Sequence, residues 1–101
     1  MNIMTIEIKT TAEATTIEVA GRLDTTTAHI LDKAINEDIK DAKHLILDIG
    51  GVAYISSAGL RVLLGAQKKM MKIGSMKVLN VCPEVMEVLE MTGFADILVI
   101  E

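Results

Sequence analysis

The sequence predicts an α/β domain, a mixed four- to five-stranded sheet with helices packed on it in the order ββαβαβαβ. Three observations predict it. Two short segments of alternating polarity open the chain. A nearly continuous apolar run, Leu45-Ile46-Leu47-Asp48-Ile49, suits a central strand buried on both faces. Beyond it strands alternate with helical patterns, which implies parallel pairing through right-handed crossovers. At 101 residues, half of them apolar, the chain has material for one core and too little for two. It is read as a single domain over residues 1–101, without repeats, low-complexity tracts or linkers.

In residues 3 to 9, Met4, Ile6 and Ile8 alternate with Thr5, Glu7 and Lys9, and residues 16 to 20 repeat the pattern through Ile17 and Val19. The two segments read as an opening hairpin. Asp24, Thr25, Thr26 and Thr27 supply oxygens that can cap a helix, and Ala28, Leu31, Ala34 or Ile35 and Ile39 follow at helical spacing. That places a first helix over about 25–40. Gly50-Gly51 reads as the end of the central strand, and a second helix over 57–73 is closed by Gly74. A strand over 76–81, a short helix opened by Pro83 and closed by Gly93, and a last strand over 96–100 complete the order.

Composition removes several function classes. Aromatics are limited to Tyr54 and Phe94, so platforms for stacking bases are missing, and a net charge of -4 disfavours phosphate backbones and anionic lipid. Both argue against nucleic acid and membrane partners. Cys82 stands alone, which rules out an intrachain disulfide, suits a reducing compartment and offers no metal site. The N-terminus has no basic, apolar leader pattern and no stretch is long enough to span a bilayer, so the chain is expected in the cytoplasm. No cofactor is expected, because neither a glycine-rich dinucleotide fingerprint nor a P-loop is present.

The informative segment is Val52-Ala53-Tyr54-Ile55-Ser56-Ser57-Ala58-Gly59-Leu60, where two hydroxyls stand at a helix start. In a strand-helix-strand crossover such starts gather at the carboxyl end of the sheet, so Asp24-Thr25-Thr26 and Ser56-Ser57 are expected to be neighbours. Ser56 fits a helix cap, and Ser57 just inside fits an anion facing unpaired N–H groups. At 100° intervals Ser57, Arg61, Gly65, Lys68, Lys69 and Lys72 share one arc, while Leu60, Val62, Leu63, Leu64, Ala66, Met70, Met71 and Ile73 fill the rest with Gln67 as a polar misfit. The basic stripe reads either as a solvated face or as a docking face for an acidic partner. Met70, Met71, Met86 and Met91 read as core filling ahead of an adaptable surface. Asp24 reads first as the cap of helix one and second as part of a partner-contacting surface.

At these residues the chain resembles the anti-sigma-factor antagonist branch of the STAS domain family. Gly21-Arg22-Leu23-Asp24 is similar to that family's turn into its first helix, and Asp48-Ile49 through Tyr54-Ile55-Ser56-Ser57-Ala58-Gly59-Leu60-Arg61-Val62-Leu63-Leu64 to the signature around its phosphorylated serine. Met91-Thr92-Gly93-Phe94 matches the usual end of the third helix. The family pattern is often Asp-Ser-Ser-Gly-Leu with the first serine accepting phosphate. The acceptor therefore aligns with Ser57, while Ser56 takes the place of the Asp and becomes a second candidate. Relatives often continue into a terminal helix, which this sequence, ending at Glu101, is expected to lack.

The resemblance implies a bacterial partner-switching cycle. An anti-sigma factor serine kinase binds the unmodified antagonist, frees its sigma factor and phosphorylates the serine with ATP; the phosphoprotein lets go, and a metal-dependent serine phosphatase resets it. The expected partner surface comprises Asp24, Thr25, Thr26, Ser56, Ser57, Ala58, Gly59, Arg61, Gly65 and Lys68, on a chain expected to be monomeric alone and to carry no catalysis. The alternative is a non-switching adaptor subunit of a larger stress-signalling or lipid-transport complex. A hydrolytic Ser57 lacks a second triad member: His44 begins the strand leading toward it, at the far edge of the sheet, and His29 reads as a helix surface residue.

Overall fold

The structure, a computed structural model, describes residues 4–38 and 42–101. Ile3 of the first expected strand, and Ile39 and residue 40 at the end of the first expected helix, lie outside the described residues. Strands β1 (Thr5–Thr10) and β2 (Thr15–Leu23) form the antiparallel hairpin, closed by Thr11, whose hydroxyl donates to the Ala14 carbonyl at 3.1 Å. Strands β3 (His44–Ile55) and β4 (Ser75–Leu79) add to it in parallel, giving one mixed sheet in the order β1-β2-β3-β4.

Parallel neighbours need crossovers, and two helices supply them. Helix α1 (Ala28–Lys33), prolonged by a π-helical turn over Ala34–Asp38, joins β2 to β3, and α2 (Ser57–Ile73) joins β3 to β4. Such crossovers are right-handed as a rule, and two of them stepping in the same direction place both helices on the same face. The side chains agree. Ile17, Val19, Leu45, Leu47, Ile49, Met76 and Val78 are buried, while the alternate positions Glu18, Ile46, Asp48 and Lys77 are half-buried or exposed. Leu31, Ile35, Leu63, Met70 and, from α3 (Pro83–Thr92), Val85 and Leu89 complete a single core. Each large aliphatic side chain sealed there contributes about 1.5–3 kcal/mol.

Four expectations about elements are corrected, and so is the reading of several apolar side chains. The central strand does not stop at Gly50-Gly51 but runs on to Ile55. Asp48 Oδ1 accepts the Gly50 N–H at 3.0 Å, and Gly51 lies so close to Ala20 that a Cβ there would stand 2.6 Å from the Ala20 Cβ, so the glycines carry the strand past a register shift. The first helix begins at Ala28 because residues 24 to 27 close a turn of their own. The fourth strand stops at Leu79, where Asn80 adopts φ 60°. The last expected strand, over 96–100, is reduced to a single parallel bridge from Ile100 to Val78, reached after a 3-10 turn over Phe94–Asp96. Among the methionines, Met70 is buried and Met86 half-buried, whereas Met71 and Met91 are 70% and 80% exposed. Ile73 is also exposed, so the apolar side of α2 frays at its last turn.

Gln67 sits within that apolar side, buried, with its Oε1 lacking a hydrogen-bond partner. An unmet buried acceptor costs about 1–3 kcal/mol, whereas an apolar side chain of similar length leaves nothing unpaired. Gln67→Met is therefore expected to stabilise the domain by about 1 kcal/mol. Urea unfolding should show a higher midpoint at unchanged slope, and a lower midpoint would show that the amide is satisfied.

Candidate functional site

The site lies where β2 and β3 end side by side, with Leu23 paired to Ile55 and Arg22 to Tyr54. Gly21, at φ 106°, supplies a backbone conformation that L side chains rarely adopt, and the register shifts between it and Arg22. After that shift Leu23 points into the core and Asp24 leads into the loop toward α1. The next bond joins the two loops: the Ser56 N–H donates to the Leu23 carbonyl at 2.9 Å. Gly59 holds the same approach from the helix side. A Cβ there would stand 2.8 Å from Leu23 Cγ, 2.9 Å from Ile55 Cγ1 and 3.0 Å from the Leu23 carbonyl oxygen, so only glycine lets α2 start this close to β2.

Ser56 occupies the cap of α2 in extended conformation, its Oγ accepting the Gly59 N–H in a long bond of 3.4 Å. Ser57 is the first helical residue, and its side chain is exposed. Ser56 is half-buried. Among the described residues the Ser57 hydroxyl has no intramolecular hydrogen-bond partner and no histidine beside it. His44 lies at the other end of β3 with Nδ1 2.8 Å from Ser75 Oγ, and His29 is exposed on α1. The serine is presented outward at a helix end where unpaired N–H groups favour an anion.

The facing loop is closed on itself. Asp24 Oδ1 accepts from the Thr26 hydroxyl at 2.7 Å and from the Thr26 N–H at 2.9 Å, and Oδ2 lies 3.3 Å from Arg22 Nε. The Thr27 hydroxyl donates to the Arg22 carbonyl at 2.6 Å and accepts the Asp24 N–H at 2.9 Å. Thr27 thus stands at the cap position of α1 with its hydroxyl already engaged, and Asp24 caps the preceding turn instead of the helix. The Thr26 hydroxyl is the largest influence drawing the Asp24 carboxyl from its ordinary 3.8 down to about 2; desolvation opposes it, and the Thr26 N–H, Arg22 and Thr27 assist.

Asp24, Thr25 and Thr26 lie beside Ser56 and Ser57 at one end of the sheet, as expected, and Ala58 and Gly59 follow on the first turn of α2. Arg61, Gly65, Lys68 and Lys72 line the exposed side of α2, and a Cβ at Gly65 would meet open space. Lys69 leaves that stripe: its Nζ donates to the Ile35 carbonyl at 2.9 Å and fastens α2 to the π-helical turn. Arg22 and Tyr54 were not selected from the sequence as site residues. The Arg22 guanidinium lies 4.0 Å from the centroid of the Tyr54 ring, which is 43% exposed beside the two loops. Their cross-strand pairing was the signal, hidden by the register shift that creates it.

On the half-open face of the sheet a cleft of about 500 Å³ is lined by Glu7, Glu18, Asp48, Gly50 and Gly51 and includes neither serine. Among the described residues no cluster of side chains suits a metal ion, and no helix is long and apolar enough to cross a membrane.

The STAS domain model matches residues 5–101. BtrV of Bordetella bronchiseptica is 41% identical over 59 residues, 57% of this chain and 51% of that protein, so the match spans about half the relative's length. The anti-sigma F factor antagonist of Paenibacillus polymyxa is 31% identical over 85 residues, 81% of this chain and 73% of that protein. Among solved structures, an anti-sigma factor antagonist from Mycobacterium paratuberculosis has a TM-score of 0.88 at 23% identity, covering 97% of this chain and 85% of that one. The Bacillus cell fate determinant SpoIIAA in its phosphorylated form has a TM-score of 0.75 at 19% identity, covering 96% and 91%. These two likenesses establish a common fold.

A carboxyl held near 2 in the folded chain stabilises it fully above about pH 4, and that contribution is lost as pH falls through about 2. The stability difference between the parent protein and Asp24→Asn should stay constant from pH 7 to about 4 and close toward pH 2. Urea unfolding across that range measures it, and a difference independent of pH would refute the hydrogen-bonded carboxylate.

Proposed function

This chain belongs to the STAS domain family, and from that membership we propose that it is an anti-sigma factor antagonist switched by phosphorylation of Ser57. The unmodified form binds an anti-sigma factor serine kinase and frees the sigma factor. The kinase then transfers a phosphoryl group from ATP. A bond forms between Ser57 Oγ and the γ-phosphorus, the bond from that phosphorus to ADP breaks, and the hydroxyl proton leaves to a base on the kinase or to solvent. A serine phosphatase reverses the change by hydrolysis, releasing inorganic phosphate. In this reading the chain is the substrate of both enzymes and catalyses neither step.

The observation that carries the reading is the outward presentation of Ser57 on the first turn of α2, beside a loop locked by its own hydrogen bonds. Ser56 is the weaker acceptor, because its hydroxyl caps the helix and is half-buried. A phosphoserine brings about -1.5 to -2 charges at neutral pH and is tolerated at a helix N-terminus. At a docking surface the same dianion is desolvated or set against partner carboxylates, a mismatch of several kcal/mol. A net loss of about 3 kcal/mol lowers affinity roughly a hundredfold, enough for release. Asp24, Thr25, Thr26, Ala58, Gly59, Arg61, Gly65 and Lys68 supply the rest of the proposed contact surface.

Incubation with the cognate kinase and ATP, followed by mass spectrometry, is expected to place one phosphate on Ser57. Ser57→Ala should bind the kinase without release, and Ser57→Asp should bind at least tenfold more weakly than the parent. Absence of phosphate from both serines, with binding intact, would replace the switch by a non-switching adaptor.

A further inference from the structure

We infer that the phosphoryl group on Ser57 is received by the guanidinium of Arg61, one turn along α2, and that this pair withdraws Arg61 from the surface that meets the kinase. The inference rests on the phosphorylation reading above. Ser57 and Arg61 stand four residues apart on an unbroken helix, and both are exposed. Side chains so spaced have Cβ atoms about 5–6 Å apart, and helical side chains lean toward the N-terminus, which carries the long arm of Arg61 over the turn that begins with Ser57. An anion placed N-terminal to a cation at this spacing has the favoured orientation, and guanidinium matches phosphate with two parallel N–H···O bonds.

The other cations of β2 and α2 are committed or distant. Arg22 is paired with Asp24 at 3.3 Å and stacked on Tyr54, and Lys69 is bonded to the Ile35 carbonyl. Lys68 and Lys72 lie about 16 and 22 Å farther along the axis at 1.5 Å per residue. Arg61 has no ion-pair partner among the described residues, and the first turn of α2 contains no acidic residue to compete for it. The charged groups at the adjoining end of β2 and in the loop after it are Arg22 and Asp24, held to each other.

The same geometry separates the two serines. Four residues beyond Ser56 stands Leu60, buried and apolar, so a phosphate on Ser56 meets no cation one turn below. Modification of Ser57 therefore changes the docking face twice, by adding a dianion and by engaging the arginine nearest to it.

Phosphoserine installed at position 57 during translation tests this without any kinase, by a phosphorus NMR titration of the second phosphate ionisation. Arg61→Gln is expected to raise that pKa by about 0.5 unit, a threefold change in proton affinity. Arg61→Lys should keep most of the effect, Lys72→Gln should leave the value unchanged, and phosphoserine at position 56 should be indifferent to Arg61→Gln. An unchanged value in Arg61→Gln, or an equal shift in Lys72→Gln, overturns the inference. Whether a kinase modifies Ser57 is settled separately by the mass spectrum, so the two ideas can fail independently.

Discussion

The bond from the Ser56 N–H to the Leu23 carbonyl, with Gly59 pressed against the same residue, fixes how the second helix leaves the sheet. Everything at this end follows from it. Because α2 starts against β2 as well as β3, Ser57 is displayed next to the Asp24 loop and cannot drift from it without breaking a backbone bond at the edge of the core. Leu23 and Ile55, whose side chains crowd Gly59, are themselves buried. The hydroxyl is thus exposed on a mount tied to the core.

The charges are arranged to match. Where β2 passes into the loop toward α1, Arg22, Asp24, Thr26 and Thr27 satisfy one another, leaving a shaped surface with little net charge. On α2 the exposed side carries Arg61, Lys68 and Lys72 with no carboxylate among them, in a chain whose net charge is -4. A partner that reads this end meets a neutral, hydrogen-bonded loop on one side and a basic ridge on the other, with the serine of the proposed switch at the junction. A dianion added there alters the potential of the ridge while the loop keeps its own bonds. In the proposed cycle the two states then differ in charge more than in shape.

The second helix was legible to its end residues, because capping serines, an apolar stripe and a closing glycine all point to the same boundaries. The start of the first helix was not. Four successive residues with oxygen-bearing side chains are each competent to cap, and the outcome depends on Arg22 and its carbonyl, which claim the Thr27 hydroxyl and one Asp24 oxygen. Gly50-Gly51 looked like a strand end because glycine usually interrupts strands; here Ala20 on the neighbouring strand demands the missing side chain. Ile97 and Val99 gave the appearance of a last strand, yet the pairing with β4 is one bridge, in which the Val99 carbonyl accepts the Val78 N–H and the Glu101 N–H donates to the Val78 carbonyl, and both side chains are about half exposed. The meeting of the two loops was readable from topology alone, whereas the Arg22–Tyr54 stack needed the register.

The central claim is that Ser57 can take on a dianion while the core and the loop beside it hold their arrangement. Amide chemical shifts of the unmodified and Ser57-phosphorylated protein test it most directly. Changes confined to residues 54 to 62 and the facing turn around Asp24, with the strand and α3 resonances unmoved, are the predicted result. Shifts spread through β3, β4 and α3 would contradict it and show that the phosphate acts by refolding the domain.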